Sequence, residues 1–236
     1  MRFLSDVTVN LVRHSAADSD VVWAARVSTA GEQSLEAVGQ DPERSRGLIN
    51  YLMRDRHGSP FEHNSMTFFI HAPIMVFREF HRHRVGWSFN EESGRYRELQ
   101  PDFYVPGRER KLVQEGKPGR YQFVEGDDQQ HKLVAEAMEL SYRRSYAAYR
   151  EMLEAGIARE VARAVLPVGL FSSMYATCNA RSLMHFLSLR TKDERATVPS
   201  FPQREIEMVA EKMEAFWAGL MPLTHAAFNA AGRVSP

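Results

Sequence analysis

Sixteen residues near the middle of the chain, Arg82-His83-Arg84-Val85-Gly86-Trp87-Ser88-Phe89-Asn90-Glu91-Glu92-Ser93-Gly94-Arg95-Tyr96-Arg97, gather four arginines, a histidine, two carboxylates and two serine hydroxyls. A guanidinium is a planar fork that meets two phosphate oxygens at once, so Arg82, Arg84 and Arg95 point to an anionic ligand. Ser93-Gly94 lets backbone amides come close to such a ligand, since glycine carries no Cβ. The plain alternative is a solvated basic loop. Trp87, Phe89 and Tyr96, interleaved with the charges, count against it.

Other polar residues have two readings each. Arg78 and Arg82 fall four apart on an expected helix, where like charges repel by roughly 0.2–0.5 kcal/mol unless an anion or an acid such as Glu79 answers them. Arg84 and Arg95 close behind favour the anion. Arg190 shares a helix face with Leu183, Phe186 and Leu187, so it must either snorkel to water or meet a buried acceptor. Arg163 either pairs with Glu160, three residues earlier, or binds a ligand. His57, Glu62 and His63 lack the spacing of H-E-x-x-H and have no cysteine beside them, so no metal site is expected. Cys178 reads as a small buried thiol rather than a nucleophile. Ser93 has no recognisable histidine–carboxylate relay and reads as a positioning hydroxyl. Neither G-x-G-x-x-G after the first strand nor G-x-x-x-x-G-K-[ST] is present, which leaves phosphate binding to arginines and backbone amides.

A chain of 236 residues with 44% hydrophobic and 11% aromatic content can bury one substantial core or two joined lobes, and a single domain over residues 1–236 is expected. Thirty basic residues balance thirty acidic ones, so net charge gives no general attraction to nucleic acid or to an anionic membrane. The single cysteine excludes an internal disulfide framework and fits a reducing, cytoplasmic setting. No apolar run approaches the roughly 20 residues that span a bilayer, and Met1 to Asp6 lacks the apolar core of a signal peptide.

The elements that must position these residues follow from periodicity and punctuation. Val7, Val9 and Leu11 alternate with polar neighbours as a strand, and a helix follows from Asp18 to about Ser28. Asp41-Pro42-Glu43 starts a helix ending near Gly58. Ser59 to Glu62 has the spacing of a capping box. Met66 to Ala72 reads as a second strand, and Pro73 opens a helix through Ile74 and Phe77 to His81. Prolines and glycines between residues 97 and 126 suggest a long, mobile connection. Val134, Met138, Tyr142, Tyr146, Tyr149 and Leu153 mark a long amphipathic helix from Asp127, closed by Gly156. Helices from Arg159 to Val165, Asn179 to Arg190 and Gln203 to about Leu220 complete an α+β pattern, with strands early and helices late.

The order of residues resembles the flavin-dependent thymidylate synthases, whose signature is R-H-R, seven residues, S, usually continuing G-R-Y. Here eight residues, Val85 to Glu92, separate Arg84 from Ser93, and the extra one is assigned to Gly86-Trp87-Ser88-Phe89. Family-like segments recur at Ala24-Ala25-Arg26-Val27-Ser28, His57-Gly58-Ser59-Pro60-Phe61-Glu62-His63, Arg159-Glu160-Val161-Ala162-Arg163 and Asn179-Ala180-Arg181-Ser182-Leu183-Met184. The likeness runs from about residue 7 to about residue 220.

The resemblance implies a mixed α/β fold peculiar to the family, assembled as a homotetramer whose sites are each built from several subunits. It implies a methyltransferase that makes dTMP from dUMP, with methylenetetrahydrofolate as carbon donor and a hydride from FAD that NADPH regenerates. By residue match, dUMP meets Glu79, Phe80, His81 and Arg82 from one subunit, Glu91, Glu92, Ser93, Gly94 and Arg95 from another, and Arg163 and Arg190. Arg190 matches an arginine held to contact the uracil ring and favour its ionisation at nitrogen 3, which activates carbon 5. FAD meets Ser59, with His57 near it, Arg82, His83, Arg84, Glu91, Asn179, Ala180, Arg181 and His185; at the last position some members carry asparagine. Two rivals remain at this stage: a nucleic-acid-binding module with Trp87, Phe89 and Tyr96 as stacking platforms, and a flavin-binding reductase acting on another substrate.

Overall fold

The computed structural model describes residues 1–34, 41–117 and 120–236. In chain order its elements are β1 (Arg2–Leu4), β2 (Thr8–Ser15), α1 (Asp18–Ala30), α2 (Pro42–Arg54), β3 (Ser65–Pro73), α3 (Ile74–Phe80), β4 (Trp87–Glu91), β5 (Asp102–Tyr104), β6 (Val113–Lys117), β7 (Arg120–Val124), α4 (Asp128–Glu154), α5 (Arg159–Ala162), β8 (Phe171–Cys178), α6 (Ala180–Arg190), α7 (Arg204–Leu220) and α8 (Pro222–Ala230). One sheet runs in the order β2-β3-β8-β4; β1 pairs with β5 in parallel, and β6 with β7 antiparallel. The mixture bears out the α+β expectation.

By internal contacts the chain divides into two compact units. One holds Met1–Val7, His71–Arg78 and Glu91–Ser173; the other holds Thr8–Ile70, Glu79–Asn90 and Met174–Pro236. In the second unit, β3 buries Met66, Phe68 and Ile70 while their neighbours stay half-exposed or exposed, as the period of two in a strand requires. Leu183, Phe186 and Leu187 of α6 and Ile206, Val209, Met213 and Trp217 of α7 are buried in the same unit. At about 1.5–3 kcal/mol for each large apolar side chain, that burial is what holds α6 in place. In the first unit, Leu99, Phe103, Tyr142 and Leu170 form a core, with Phe103 and Tyr142 stacked 4.7 Å apart. The stripe expected on α4 is only partly core: Tyr142 and Tyr149 are buried, the rest of the stripe is half-buried, and Leu133 and Leu140 are exposed.

Several local expectations hold for the reasons given. Asp41 accepts from the amides of Glu43 and Arg44, and Asp127 and Gln130 cap α4 reciprocally at 2.8 and 2.9 Å. Others need correction. The capping box at Ser59 is not formed; Gly58 precedes a 3-10 turn over Ser59–Glu62 with no side-chain cap. The stretch from 97 to 126 is not a structureless connection, because β5 and the β6–β7 hairpin lie within it. Pro118 and Gly119, which contributed to that expectation, lie outside the described residues. Strands β1, β4 and β8 and helix α8 had no clear sequence signal; β8 (FSSMYATC) is mostly buried, and its polar residues hide the alternation.

Helix α8 shows how a sequence-distant residue completes an element. Its N-cap is Met221, which offers no acceptor, and Pro222 at its first position has no amide to satisfy. Asp18, at the start of α1, supplies the cap from 205 residues away: its carboxylate accepts from the amides of Leu223 and Thr224, each at 2.8 Å, and from the Thr224 hydroxyl at 2.6 Å. Negative charge at a helix N-terminus is stabilising in addition to these bonds. Asp18→Ala is expected to lower stability by about 2–3 kcal/mol, and Asp18→Asn by less, measured by denaturant unfolding; an unchanged midpoint in both would contradict this capping role.

Candidate active site

Residues 79 to 86 lie antiparallel along α6, and three contacts fix the register. At the C-terminal end of α6, Arg190 donates from Nη1 to Glu79 Oε2 at 2.5 Å and from Nε to His83 Nε2 at 3.0 Å. In the middle, the His83 ring meets Phe186 edge to face at 4.9 Å and His185 at 6.4 Å. At the N-terminal end, the Ser182 hydroxyl donates to the Val85 carbonyl at 2.9 Å. Gly86 closes that end with φ of 70°, and a Cβ there would fall 2.1 Å from Ser182 Oγ, so the approach requires glycine.

Arginine has no acceptor, so His83 Nε2 must present its lone pair to Arg190 and the ring proton sits on Nδ1. Burial, then the charges of Arg190, His185 and Arg82, pushes the His83 pKa down to about 4. His83 is therefore a neutral anchor. Arg82 and Arg84 on either side of it are exposed, and no hydrogen bond or ion pair ties their side chains to another described residue. Between the two readings of Arg190, the structure selects the buried acceptor: its side chain is 18% exposed and the acceptor is Glu79. Glu79 Oε1 is buried without a hydrogen-bond partner. Burial raises the Glu79 pKa, Arg190 opposes this and Glu205 adds to it.

The N-terminus of α6 is held by Asn179, whose side chain accepts from the Ser182 amide at 2.9 Å, and by Asn64, which accepts from the Ala180 amide at 2.8 Å. Arg181 reaches back to Glu62 at 2.6 Å and lies over Gly58, where a Cβ would sit 2.4 Å from its guanidinium carbon. The exposed Ser59 and His57 flank that glycine in sequence. At the other end, the Thr191 hydroxyl accepts from the fully buried Arg233 at 2.8 Å, and Arg233 grips Glu214 through two bonds of 2.7 and 2.8 Å. Both ends of the helix are thus tied down. Sequence spacing gave no hint of the contacts made by Asn64, Glu62 and Arg233, since their partners lie 116, 119 and 42 residues away in the chain.

The second group of expected ligands forms a local cluster in the other unit. Ser93 makes a tight turn: its hydroxyl accepts from the Arg95 amide at 3.3 Å and its carbonyl from the Tyr96 amide at 3.1 Å. Gly94 is buried, and a Cβ there would meet Leu99 at 2.8 Å and the Arg163 side chain at 3.3 Å. Arg95 pairs with Glu160 at 2.9 Å, so of the two readings of Arg163 the pair with Glu160 is not made, and Arg163 is exposed with no ion pair among the described residues. Glu92 pairs with Arg97, and Glu91 ends β4.

Other expectations resolve plainly. Helix α3 ends at Phe80, so Arg82 sits in the following turn and the helical Arg78–Arg82 pair does not form. His81 is exposed, with its ring 5.4 Å from Phe89. Phe80 is fully buried and stacks on Phe186 at 4.8 Å. Trp87 and Phe89 stack on each other at 5.6 Å and pack edge-on against Phe80, which removes them as platforms for nucleic-acid bases. Cys178 is a buried thiol whose pKa burial drives upward. Among the described residues no group of histidine, cysteine, aspartate and glutamate could hold a metal, and no helix is long and apolar enough to cross a membrane.

The state of His83 has a measurable consequence. Its folded pKa lies below the ordinary 6.5 at about 4, so the unfolded chain takes up the proton first and stability is lost as pH falls through that window. Near pH 5 the loss from this group is on the order of 2 kcal/mol relative to neutral pH. His83→Gln should flatten that part of the stability–pH curve; an unaltered slope would mean that His83 is not held neutral.

The model of the thymidylate synthase complementing protein family matches residues 10–223. A flavin-dependent thymidylate synthase of Streptomyces avermitilis is 79% identical over 99% of this chain and 95% of its own, and one of Tropheryma whipplei is 57% identical over 99% and 97%. A UMP/dUMP methylase from Streptomyces cacaoi, solved with 5-bromo-dUMP, superposes with a TM-score of 0.95 at 58% identity, covering 100% of both chains. The seating of Arg82-His83-Arg84 on α6, the Ser93-Gly94-Arg95 turn and these likenesses agree, and the chain belongs to the flavin-dependent thymidylate synthase family.

Proposed function

We propose that this protein converts dUMP to dTMP by reductive methylation, with methylenetetrahydrofolate supplying the carbon, and that the whole chain works as one domain in a cytoplasmic homotetramer. The observation that carries the reading is the strip from Glu79 to Gly86 lying along α6, which brings Glu79, His83 and Arg190 together and leaves Arg82 and Arg84 unpaired at the surface.

The donor set fits a flavin dinucleotide. Arg82 and Arg84 are free to grip a diphosphate, with Ser59, Asn179, Arg181 and His185 as polar neighbours in the same unit. FAD, when bound and kept reduced by NADPH, supplies the hydride. The chain's own part is binding and charge. Arg190 orients the uracil ring and stabilises negative charge on it; Arg95, Arg163 and the Ser93 hydroxyl hold the phosphate, together with Arg82. A protein without a nucleophilic cysteine needs this arrangement, because Cys178 is buried and kept as a thiol.

Each cluster alone is half of a nucleotide site. The 79–86 strip offers base-binding groups and cations, while the 92–95 turn and Arg163 offer a hydroxyl, amides and further cations. This supports a site whose two halves come from different subunits, as the family resemblance implies.

Arg190→Ala should abolish most dTMP formation while FAD remains bound, since a preorganised donor to developing charge contributes on the order of 3 kcal/mol. The check is turnover alongside the flavin-to-protein absorbance ratio, and near wild-type turnover would refute the role. Mixed oligomers test the shared site. Arg82→Ala chains and Arg95→Ala chains, each inactive alone, should regain part of the activity when co-assembled, because some mixed sites receive both intact segments. Verified mixed oligomers that stay inactive would mean that each chain builds its own site.

A further inference from the structure

Arg190 stands in a pairing that is at odds with its task. A guanidinium whose charge is already balanced by a carboxylate 2.5 Å away offers little to a second anion, so an Arg190 locked to ionised Glu79 would stabilise a uracil anion poorly. The conflict disappears if the carboxylate is discharged as the uracil becomes charged. Resting on the reading that uracil meets Arg190, we infer that Glu79 is the base that takes the proton from nitrogen 3 of the bound pyrimidine.

The step balances. The nitrogen–hydrogen bond of the ring breaks, an oxygen–hydrogen bond forms on the Glu79 carboxylate, and the electron pair left behind spreads over nitrogen 3 and the flanking carbonyl oxygens, so that the C4 carbonyl withdraws less from carbon 5 and leaves it more nucleophilic. Glu79 becomes neutral as the ring becomes an anion, and Arg190 exchanges one anionic partner for the other. No net charge is created in the site. Once carbon 5 is methylated the proton returns from Glu79 to nitrogen 3, which makes the ring neutral again and restores the Glu79–Arg190 pair for the next turnover.

Geometry selects Glu79 over its neighbours. One of its oxygens is held by Arg190 and the other is buried with no partner, so the ionised form is under-solvated and has unused capacity for a proton. The charged groups facing it are Arg190 from α6 and Glu205 from α7, with His83 on the far side of Arg190. Burial and Glu205 push the Glu79 pKa up against the pull of Arg190, which makes its conjugate base stronger than an ordinary surface carboxylate. His83 is a poor alternative. Its Nε2 lone pair already receives an Arg190 N–H, and a proton there would set two cations against each other.

The test uses FAD-loaded wild-type enzyme and Glu79→Gln, with Glu79→Asp as a second variant in case the first folds poorly. dUMP affinity is read from the change in flavin absorbance, and tritium release from carbon-5-labelled dUMP is followed under single-turnover conditions from roughly pH 6 to pH 9. NMR of dUMP labelled at nitrogen 3 reports the protonation of the bound ring directly. Wild type should lose rate as falling pH protonates Glu79. Glu79→Gln should bind dUMP within a few-fold of wild type, keep the ring protonated at neutral pH, release tritium roughly 100-fold more slowly, and recover as rising pH ionises the ring itself. Glu79→Asp should fall between the two. An unchanged rate and pH profile in Glu79→Gln, or a bound ring that ionises as in wild type, would overturn the proposal, and so would loss of dUMP affinity as the variant's only defect. Failure of the wild type to bind dUMP would instead strike the underlying reading.

Discussion

One contact surface governs the rest: the strip Glu79–Gly86 pressed along α6. Its centre is a histidine that burial keeps neutral, so that His83 can accept from Arg190 instead of competing with it for an anion. Its end is a glycine in a left-handed conformation, with no room for a Cβ against Ser182. With His83 turned in against α6, the residues on either side of it, Arg82 and Arg84, both face solvent. The R-H-R motif is thus a division of labour set by burial: the middle residue holds the strip down and the outer two are left to meet a ligand.

The strip depends on a helix that is itself pinned at both ends. Asn179 and Asn64 satisfy the amides where α6 begins, and Arg233 bonds the Thr191 hydroxyl just past its last residue. Arg233 is fully buried, with a bidentate carboxylate partner in Glu214, whose pKa the contact with Arg233 and His225 brings down to about 2 against the opposing effect of burial. Breaking a buried pair of this kind by removing one partner leaves an uncompensated charge. That rigidity suits an enzyme whose chain contributes placement and charge while the cofactor supplies the redox chemistry. Glu79 is the one acid in the strip, and one oxygen of its carboxyl is buried without a hydrogen-bond partner.

Much of this was legible in the sequence because the signals were local. Asp41, Asp127 and Asn179 announced their helices as caps, and the alternation of Met66, Phe68 and Ile70 announced β3. The arginines stood out by type and density, and the resemblance supplied the family. What stayed hidden was long-range. That Arg190 would meet Glu79, 111 residues earlier, rather than water, is decided by the antiparallel register of the strip on α6, which no spacing rule encodes. Asp18 capping α8 is the same kind of case. Proline and glycine between residues 97 and 126 drew attention away from Val113–Lys117 and Arg120–Val124, which pair as a hairpin. Trp87 and Phe89 read as candidate ligand platforms, yet they close over Phe80 and Phe186 and support the strip from behind.

In the proposed function, flavin and nucleotide share the surface that α6 and residues 79 to 86 create. The visible absorption spectrum of the purified protein, recorded while dUMP is added, tests it most directly. Flavin bands are expected in the protein as isolated or after loading with FAD, with a shift or quenching of those bands that saturates with dUMP. A protein that retains no flavin, or one whose flavin bands ignore dUMP at every concentration, would contradict it.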